Sequence, residues 1–112
     1  MKHIIALVKP FRAQAVIQAI AELHVEALLV SEAKGYGRQK GYLDRYAGSE
    51  YSLAFLPKVE ITVWVSDARA AAVADRIVRA ARTGRIGDGK IFVSTVEEVI
   101  RIRTGERGPD AL

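Results

Sequence analysis

From Lys58 to Val65 the chain alternates without a break, with Val59, Ile61, Val63 and Val65 on one side and Lys58, Glu60, Thr62 and Trp64 on the other. A period of two is the signature of a strand that buries one face, so this run, following Pro57, is predicted as a strand. Residues 2 to 9 form a short apolar run stopped by Lys9 and Pro10, which suits an earlier strand. From Phe11 to His24 the period changes: Val16, Ile20 and Leu23 recur at helical spacing, with Ala13 and Ile17 on the same side. Val25 to Ala33 is apolar and β-branched enough for a second strand, closed by Gly35 and Gly37. Asp67 is predicted to cap a helix over about 68 to 82 with the stripe Ala70, Val73, Ile77 and Ala81, and Gly84 to provide its left-handed stop. Ile91 to Val96 reads as a fourth strand, and the polar tail beyond Gly105 is expected to be mobile.

Strand, helix, strand, strand, helix, strand is two βαβ halves. Interleaved, they make an antiparallel four-stranded sheet with both helices on one face, the α+β ferredoxin-like βαββαβ arrangement. The 112 residues fit one domain, 1–112, and half of them are apolar, as in ordinary globular chains. The sheet face without helices would also carry apolar side chains, so self-association is expected. Between the second and third strands, from about Tyr36 to Phe55, periodicity fails; Gly37, Gly41 and Gly48 stand among Arg38, Lys40, Asp44, Arg45 and Glu50. A loop of that length inside a small domain is usually functional or disordered, and here it reads as the working part.

The net charge of +4 favours anionic partners without choosing among them. The absence of cysteine excludes disulfides and thiolate chemistry, and with no apolar run long enough for a signal peptide or a membrane span a cytoplasmic location is the default, with any membrane contact peripheral.

Gly84 to Lys90 has the spacing G-x-x-x-x-G-K, but Ile91 stands where a P-loop needs serine or threonine, and the turn leaves a helix for a strand rather than the reverse. A Walker-type nucleotidase is therefore excluded. Glycines at 84, 87 and 89 still allow backbone N–H groups to converge on an anion, and Lys90 adds a point charge. Arg101 and Arg103, two apart in a segment read as extended, would point the same way and could grip polyphosphate oxygens such as those of ATP. Taken singly, each feature reads more readily as a tight turn or a solvated arginine than as a phosphate site. His3 and His24 are isolated and receive no site; Trp64 and Tyr36 could stack on a base, yet single aromatics usually pack, and the paired exposed aromatics of an RNA-binding sheet are missing. No catalytic triad or carboxylate pair is readable, so an enzyme is not expected.

Gly35-Tyr36-Gly37-Arg38-Gln39-Lys40-Gly41, Gly48-Ser49-Glu50-Tyr51, Phe55-Leu56-Pro57-Lys58 and Thr83-Gly84-Arg85-Ile86-Gly87-Asp88-Gly89-Lys90-Ile91-Phe92-Val93 together resemble the PII signalling proteins of nitrogen regulation. Val99-Ile100-Arg101-Ile102-Arg103-Thr104-Gly105 is similar to the C-terminal segment of that family, and the motifs come in order over nearly the whole chain. The resemblance implies a homotrimer with nucleotide sites between subunits, where ATP and ADP compete and 2-oxoglutarate joins ATP through Mg²⁺. By the same match, 83–90 is the B-loop, 36–55 the T-loop and 99–112 the C-terminal segment. Gly87, Gly89, Lys90, Arg101, Arg103 and Arg38 are then the implied phosphate-holding residues of a nucleotide site that also includes Asp88 and Trp64, and Gly35 and Gly37 permit close backbone approach. Gln39 is the implied Mg²⁺ ligand; it, Lys40 and Lys58 are the implied 2-oxoglutarate contacts. The T-loop would carry effector status to partner proteins: enzymes, transcriptional regulators or a membrane transporter. Tyr51 matches a nucleotidylylated tyrosine, the substrate of a nucleotidylyltransferase, and Ser49 a phosphorylated serine; Tyr51 is equally readable as a plain loop contact.

Four residues depart from the pattern that the resemblance implies. Ala47 replaces a basic residue that enters an ammonium channel, which puts channel blocking in doubt. Leu29 replaces a hydroxyl residue, Thr62 an acidic one and Trp64 a smaller aliphatic near the implied adenine pocket, where an indole either stacks on the base or crowds it. A divergent PII-like regulator of another transporter or ligand is accordingly the alternative. A hydrolase of acylphosphatase type would need an asparagine, and the chain has none. Direct nucleic-acid binding is not expected.

Overall fold

The computed structural model describes residues 1–35 and 56–112. Four strands, β1 (Lys2–Val8), β2 (Leu28–Gly35), β3 (Leu56–Val65) and β4 (Gly89–Thr95), and two helices, α1 (Pro10–Ala21) and α2 (Asp67–Ala81), follow one another as β1-α1-β2-β3-α2-β4. The sheet order is β2-β3-β1-β4 and every neighbouring pair is antiparallel. This is the predicted ferredoxin-like α+β topology.

Strand β1 runs down the middle of the sheet. Ile4 stands across from Val63 on one side and Val93 on the other, and Ala6 across from Ile61 and Ile91. Its alternate residues Ile4, Ala6 and Val8 are buried together with Ile61, Val63 and Val65 of β3. The helices close this face with Ala13, Val16 and Ile20 from α1 and Ala70, Val73, Ile77 and Ala81 from α2, so both predicted stripes face the core. Burying each large aliphatic side chain in this layer contributes roughly 2 kcal/mol.

Several boundaries differ from the sequence reading for identifiable reasons. Helix α1 starts at Pro10, whose missing N–H costs nothing in a first turn, and it ends at Ala21 rather than His24. His24 then takes the left-handed conformation (φ 53°), and β2 begins only at Leu28. Asp67 is not the cap of α2. Ser66 occupies that position with extended backbone, while Asp67 sits in the first turn and accepts from the Met1 ammonium at 2.8 Å. At the other end Arg82 leaves α2 in extended conformation, so Gly84 (φ 83°) belongs to the following turn and does not stop the helix. A guanidinium that the sequence reading passed over ties the two helices together: Arg12 donates from Nε (2.9 Å) and from a second nitrogen to the Ala80 carbonyl in the last turn of α2.

The tail is ordered by its own contacts, contrary to expectation. Ile100 and Arg107 form an antiparallel bridge, the Gly108 N–H donates to the Val99 carbonyl at 3.0 Å, and a short 3-10 helix at Gly108–Ala111 buries Ala111. Among the described residues no helix is long and apolar enough to cross a membrane.

Where β4 begins, Gly89 (φ 100°) passes so close to β1 that a Cβ there would lie 1.7 Å from the Leu7 carbonyl oxygen. Gly84 also has positive φ, but a Cβ at that position meets nothing within 4 Å. Gly84→Ala should therefore cost only the left-handed backbone penalty of about 1 kcal/mol, whereas Gly89→Ala should lose more than about 3 kcal/mol by adding a backbone clash that no rotamer relieves. Urea midpoints of the two variants check the ordering.

Candidate functional site

The turn from Thr83 to Lys90 joins α2 to β4 and is organised around one carboxylate. Asp88 accepts from the Thr83 N–H at 2.8 Å, from the Gly84 N–H at 2.9 Å and from the Thr83 hydroxyl. The Arg85 N–H in turn donates to the Thr83 hydroxyl oxygen at 3.3 Å. Lys9, from the end of β1, completes the knot with its Nζ 3.2 Å from Asp88 and 3.2 Å from the Thr83 hydroxyl oxygen. Bonds from the Thr83 hydroxyl and backbone, with those from Gly84 and Lys9, hold the Asp88 carboxyl well below the usual carboxylate range against the opposing effect of desolvation.

On the other side Lys58, on β3, donates to the Gly87 carbonyl at 2.7 Å. Burial lowers its pKa first, the neighbouring Lys9 ammonium lowers it further, and Asp88 acts in the opposite direction. Two ammonium groups thus converge on one glycine turn with a single carboxylate between them. Gly87 (φ 94°) and Gly89 (φ 100°) supply the left-handed backbone that the turn requires. Behind it a cavity of about 250 Å³ lies between α2 and the start of β4, lined by Val78, Ala81, Arg82, Leu7, Val8 and Ile91 among others.

The structure brings together Lys58, Gly87, Asp88, Gly89 and Lys90 of the expected set. Lys90 is exposed as the second residue of β4, opposite Leu7. Asp88 acts inside the turn, occupying the Thr83 N–H and also the Gly84 N–H, one of the glycine groups that the sequence reading left for a bound anion. Lys9 and Thr83 were missed as members of this cluster. Lys9 had been read only as the stop of a strand, and its position beside residue 88 depends on the β1–β4 register, which no local pattern reveals.

Arg101 and Arg103 are elsewhere. Gly89 stands across from Val8 at one end of β4 and Thr95 across from Lys2 at the other, a span of roughly 20 Å at ~3.4 Å per residue. The arginines follow that far end. They do not lie in an extended segment: residues 102–104 form a turn closed by the Gly105 N–H donating to the Arg101 carbonyl at 2.7 Å. Arg101 pairs with Glu106 at 2.7 Å and reaches the Asp110 carbonyl at 3.2 Å, so the two guanidinium groups are not a matched fork.

On the helix-free face Trp64 lies flat against His3, with ring centroids 5.0 Å apart and planes 3° from parallel. One indole face is therefore used within the chain. The His3 Nε2 is buried there without a hydrogen-bond partner among the described residues. Thr62 is buried beside it, while Leu29, its neighbour on β2, is 60% exposed. Gly35 ends β2, and a Cβ there would meet none of the described residues within 4 Å. Gly37, Arg38, Gln39, Lys40, Ala47, Ser49 and Tyr51 fall in 36–55, outside the described residues. Among the described residues no cluster of three His, Cys, Asp or Glu side chains could hold a metal ion.

Fold and turn together define a ferredoxin-like domain with a cationic, glycine-built turn at one end of its sheet. The family model described as nitrogen regulatory protein P-II matches residues 1–106. The chain is 56% identical to the nitrogen regulatory protein P-II of Rhizobium meliloti (strain 1021) and 54% identical to that of Bradyrhizobium diazoefficiens, each over all 112 residues and the full length of both chains. It also superposes on the crystal structure of Arabidopsis thaliana PII bound to citrate with a TM-score of 0.79 and 36% identity, covering 99% of this chain and 91% of that one. The chain belongs to the P-II family of nitrogen regulatory proteins, a regulatory family by name rather than an enzymatic one.

Because Asp88 holds the turn as a carboxylate with a depressed pKa, its contribution to stability is complete above the ordinary aspartate value and is lost as pH falls toward the lower folded-state value. Thermal midpoints measured downward from about pH 4 should therefore drop for the parent chain, and Asp88→Asn, which cannot ionise, should start lower at neutral pH and lose less across that window.

Proposed function

We propose that this P-II family member is a homotrimeric signal transducer that binds ATP or ADP and 2-oxoglutarate and reports them to target proteins through residues 36–55. The observation that carries the reading is the separation within one strand: the cationic turn is at one end of β4 and the arginines expected to grip the same polyphosphate follow the other end. A second copy that brings its C-terminal segment to this turn would complete the site, and the helix-free sheet face, with Phe92 and Leu29 half exposed or more, offers surface for self-association.

The residues at the turn suit a polyphosphate. Lys90 is free to meet phosphate oxygens, while Lys9 and Lys58 provide positive potential beside glycine backbone that a ligand can approach closely. Lys58 is also placed for a 2-oxoglutarate carboxylate, with Lys40 as its expected companion. Bound Mg²⁺ would bridge ATP and 2-oxoglutarate by sharing their oxygens, with Gln39, outside the described residues, as its expected protein ligand. Recruitment of Gln39 would then couple effector status to the loop that partners read, among them a membrane transporter, with Ala47 against a channel-blocking mode. Tyr51 and Ser49 on the same loop are the expected sites of covalent modification.

Titration with Mg-ATP in the presence and absence of 2-oxoglutarate should show each ligand tightening the other. Independent binding would favour a divergent PII-like regulator instead. A mixing experiment tests the shared site. Lys90→Ala and Arg103→Ala should each weaken ATP binding at least tenfold, and trimers reassembled from equal amounts of the two variants should recover roughly a quarter of the intact sites. No recovery on mixing would place both residues on one copy.

A further inference from the structure

The end of the molecule that carries the glycine turn has more positive charge than a nucleotide site accounts for. Arg79 in the last turn of α2, Arg82 just beyond it and Arg85 in the turn are all exposed, and their side chains make no hydrogen bond or ion pair among the described residues. Asp75, one helical turn before Arg79, is exposed and forms no ion pair with it among the described residues, and Asp88, nearest to Arg82 and Arg85, faces inward to Thr83, Gly84 and Lys9. Two apolar side chains stand out at the same end: Ile86, 63% exposed beside Arg85, and Phe11, 72% exposed in the first turn of α1. The ion pair from Lys9 to Asp88 and the bonds from Arg12 to Ala80 hold those two segments against each other. At the far end the cations Lys2, Arg69, Arg101, Arg103 and Arg107 are mixed with Glu22 and Glu26 after α1, Asp67 at the start of α2 and Glu97 and Glu98 after β4, so it is at the turn end that arginines stand without facing carboxylates.

We propose that this end is a docking surface for an anionic lipid bilayer, with Arg79, Arg82 and Arg85 at the headgroups and Phe11 and Ile86 entering the interface. The arginines supply long-range attraction to an anionic leaflet. Each apolar side chain is isolated, which is too little for a packed protein interface but suits the boundary between headgroups and acyl chains. One such patch binds weakly, and patches joined in one assembly of several copies would strengthen the association without any new contact. The surface does not depend on nucleotide binding, since none of these five residues belongs to the proposed nucleotide site.

The test is flotation of the full chain with vesicles of neutral phosphatidylcholine and with vesicles containing about 30% phosphatidylglycerol. Flotation with the anionic vesicles alone is expected, with release at about 0.5 M salt, where screening falls to a few ångströms. The double variant Arg82→Glu/Arg85→Glu should lower partitioning at least tenfold with an unchanged thermal midpoint, and Phe11→Ser/Ile86→Ser should lower it at constant charge. Absence from the anionic vesicles at low salt, or equal flotation of the Arg82→Glu/Arg85→Glu variant, would overturn the proposal. Binding to polyglutamate without binding to vesicles would overturn it too, in favour of an acidic protein partner.

Discussion

Everything in this molecule is positioned by the pairing of β1 on both of its edges. Both strands of the second βαβ half, β3 from its start and β4 from its close, lie antiparallel to β1, so a single strand fixes the halves against each other. The same register buries Ile4, Ala6 and Val8 beneath the helices and leaves His3, Ile5 and Leu7 on the other face. It also delivers Lys9, the first residue past β1, to the turn that precedes β4. A slip of one residue would exchange the faces and move Lys9 away from Asp88.

The glycine turn depends on that delivery. Its backbone visits positive φ three times, at Gly84, Gly87 and Gly89, a conformation with little intrinsic preference to persist. Asp88 overcomes this by accepting from two backbone N–H groups and a hydroxyl while paired to Lys9, which makes the turn a rigid piece of the domain. Lys58 then anchors Gly87 from the neighbouring strand. The result is positive potential over a preformed backbone, and this is the physical condition for recognising an anion without reorganisation.

The split between the turn and the arginines is what ties the proposed site to an assembly. Strand β4 separates Lys90 from the C-terminal segment, and Arg101 is occupied by Glu106 and Asp110 of its own tail. If the turn and the arginines serve one ligand, as proposed, they come from different copies, and the site would then be sensitive to the relation between subunits. The stack of His3 on Trp64 is a related restraint, because it fixes the indole plane on the sheet face before any ligand arrives.

Much of the fold was legible beforehand. Period-two burial in β3 and the four-residue stripe of α2 follow from side-chain geometry within one element, and the element order then admits few topologies. Motif order pointed to the family for the same reason, since each motif is a local run. What local runs could not show was anything set by register or by competition for a partner. Asp67 looked like a cap but pairs with the chain's own ammonium group; Asp88 looked like part of a ligand cradle but serves the turn's backbone; Arg101 and Arg103 looked like a fork but stand on a closed turn. Periodicity and composition alone determined that this chain forms a two-layer α+β domain with a glycine-rich basic turn. Tertiary structure decided which charges meet, because residues as far apart as Lys9 and Asp88 become neighbours only when β1 and β4 pair in one sheet.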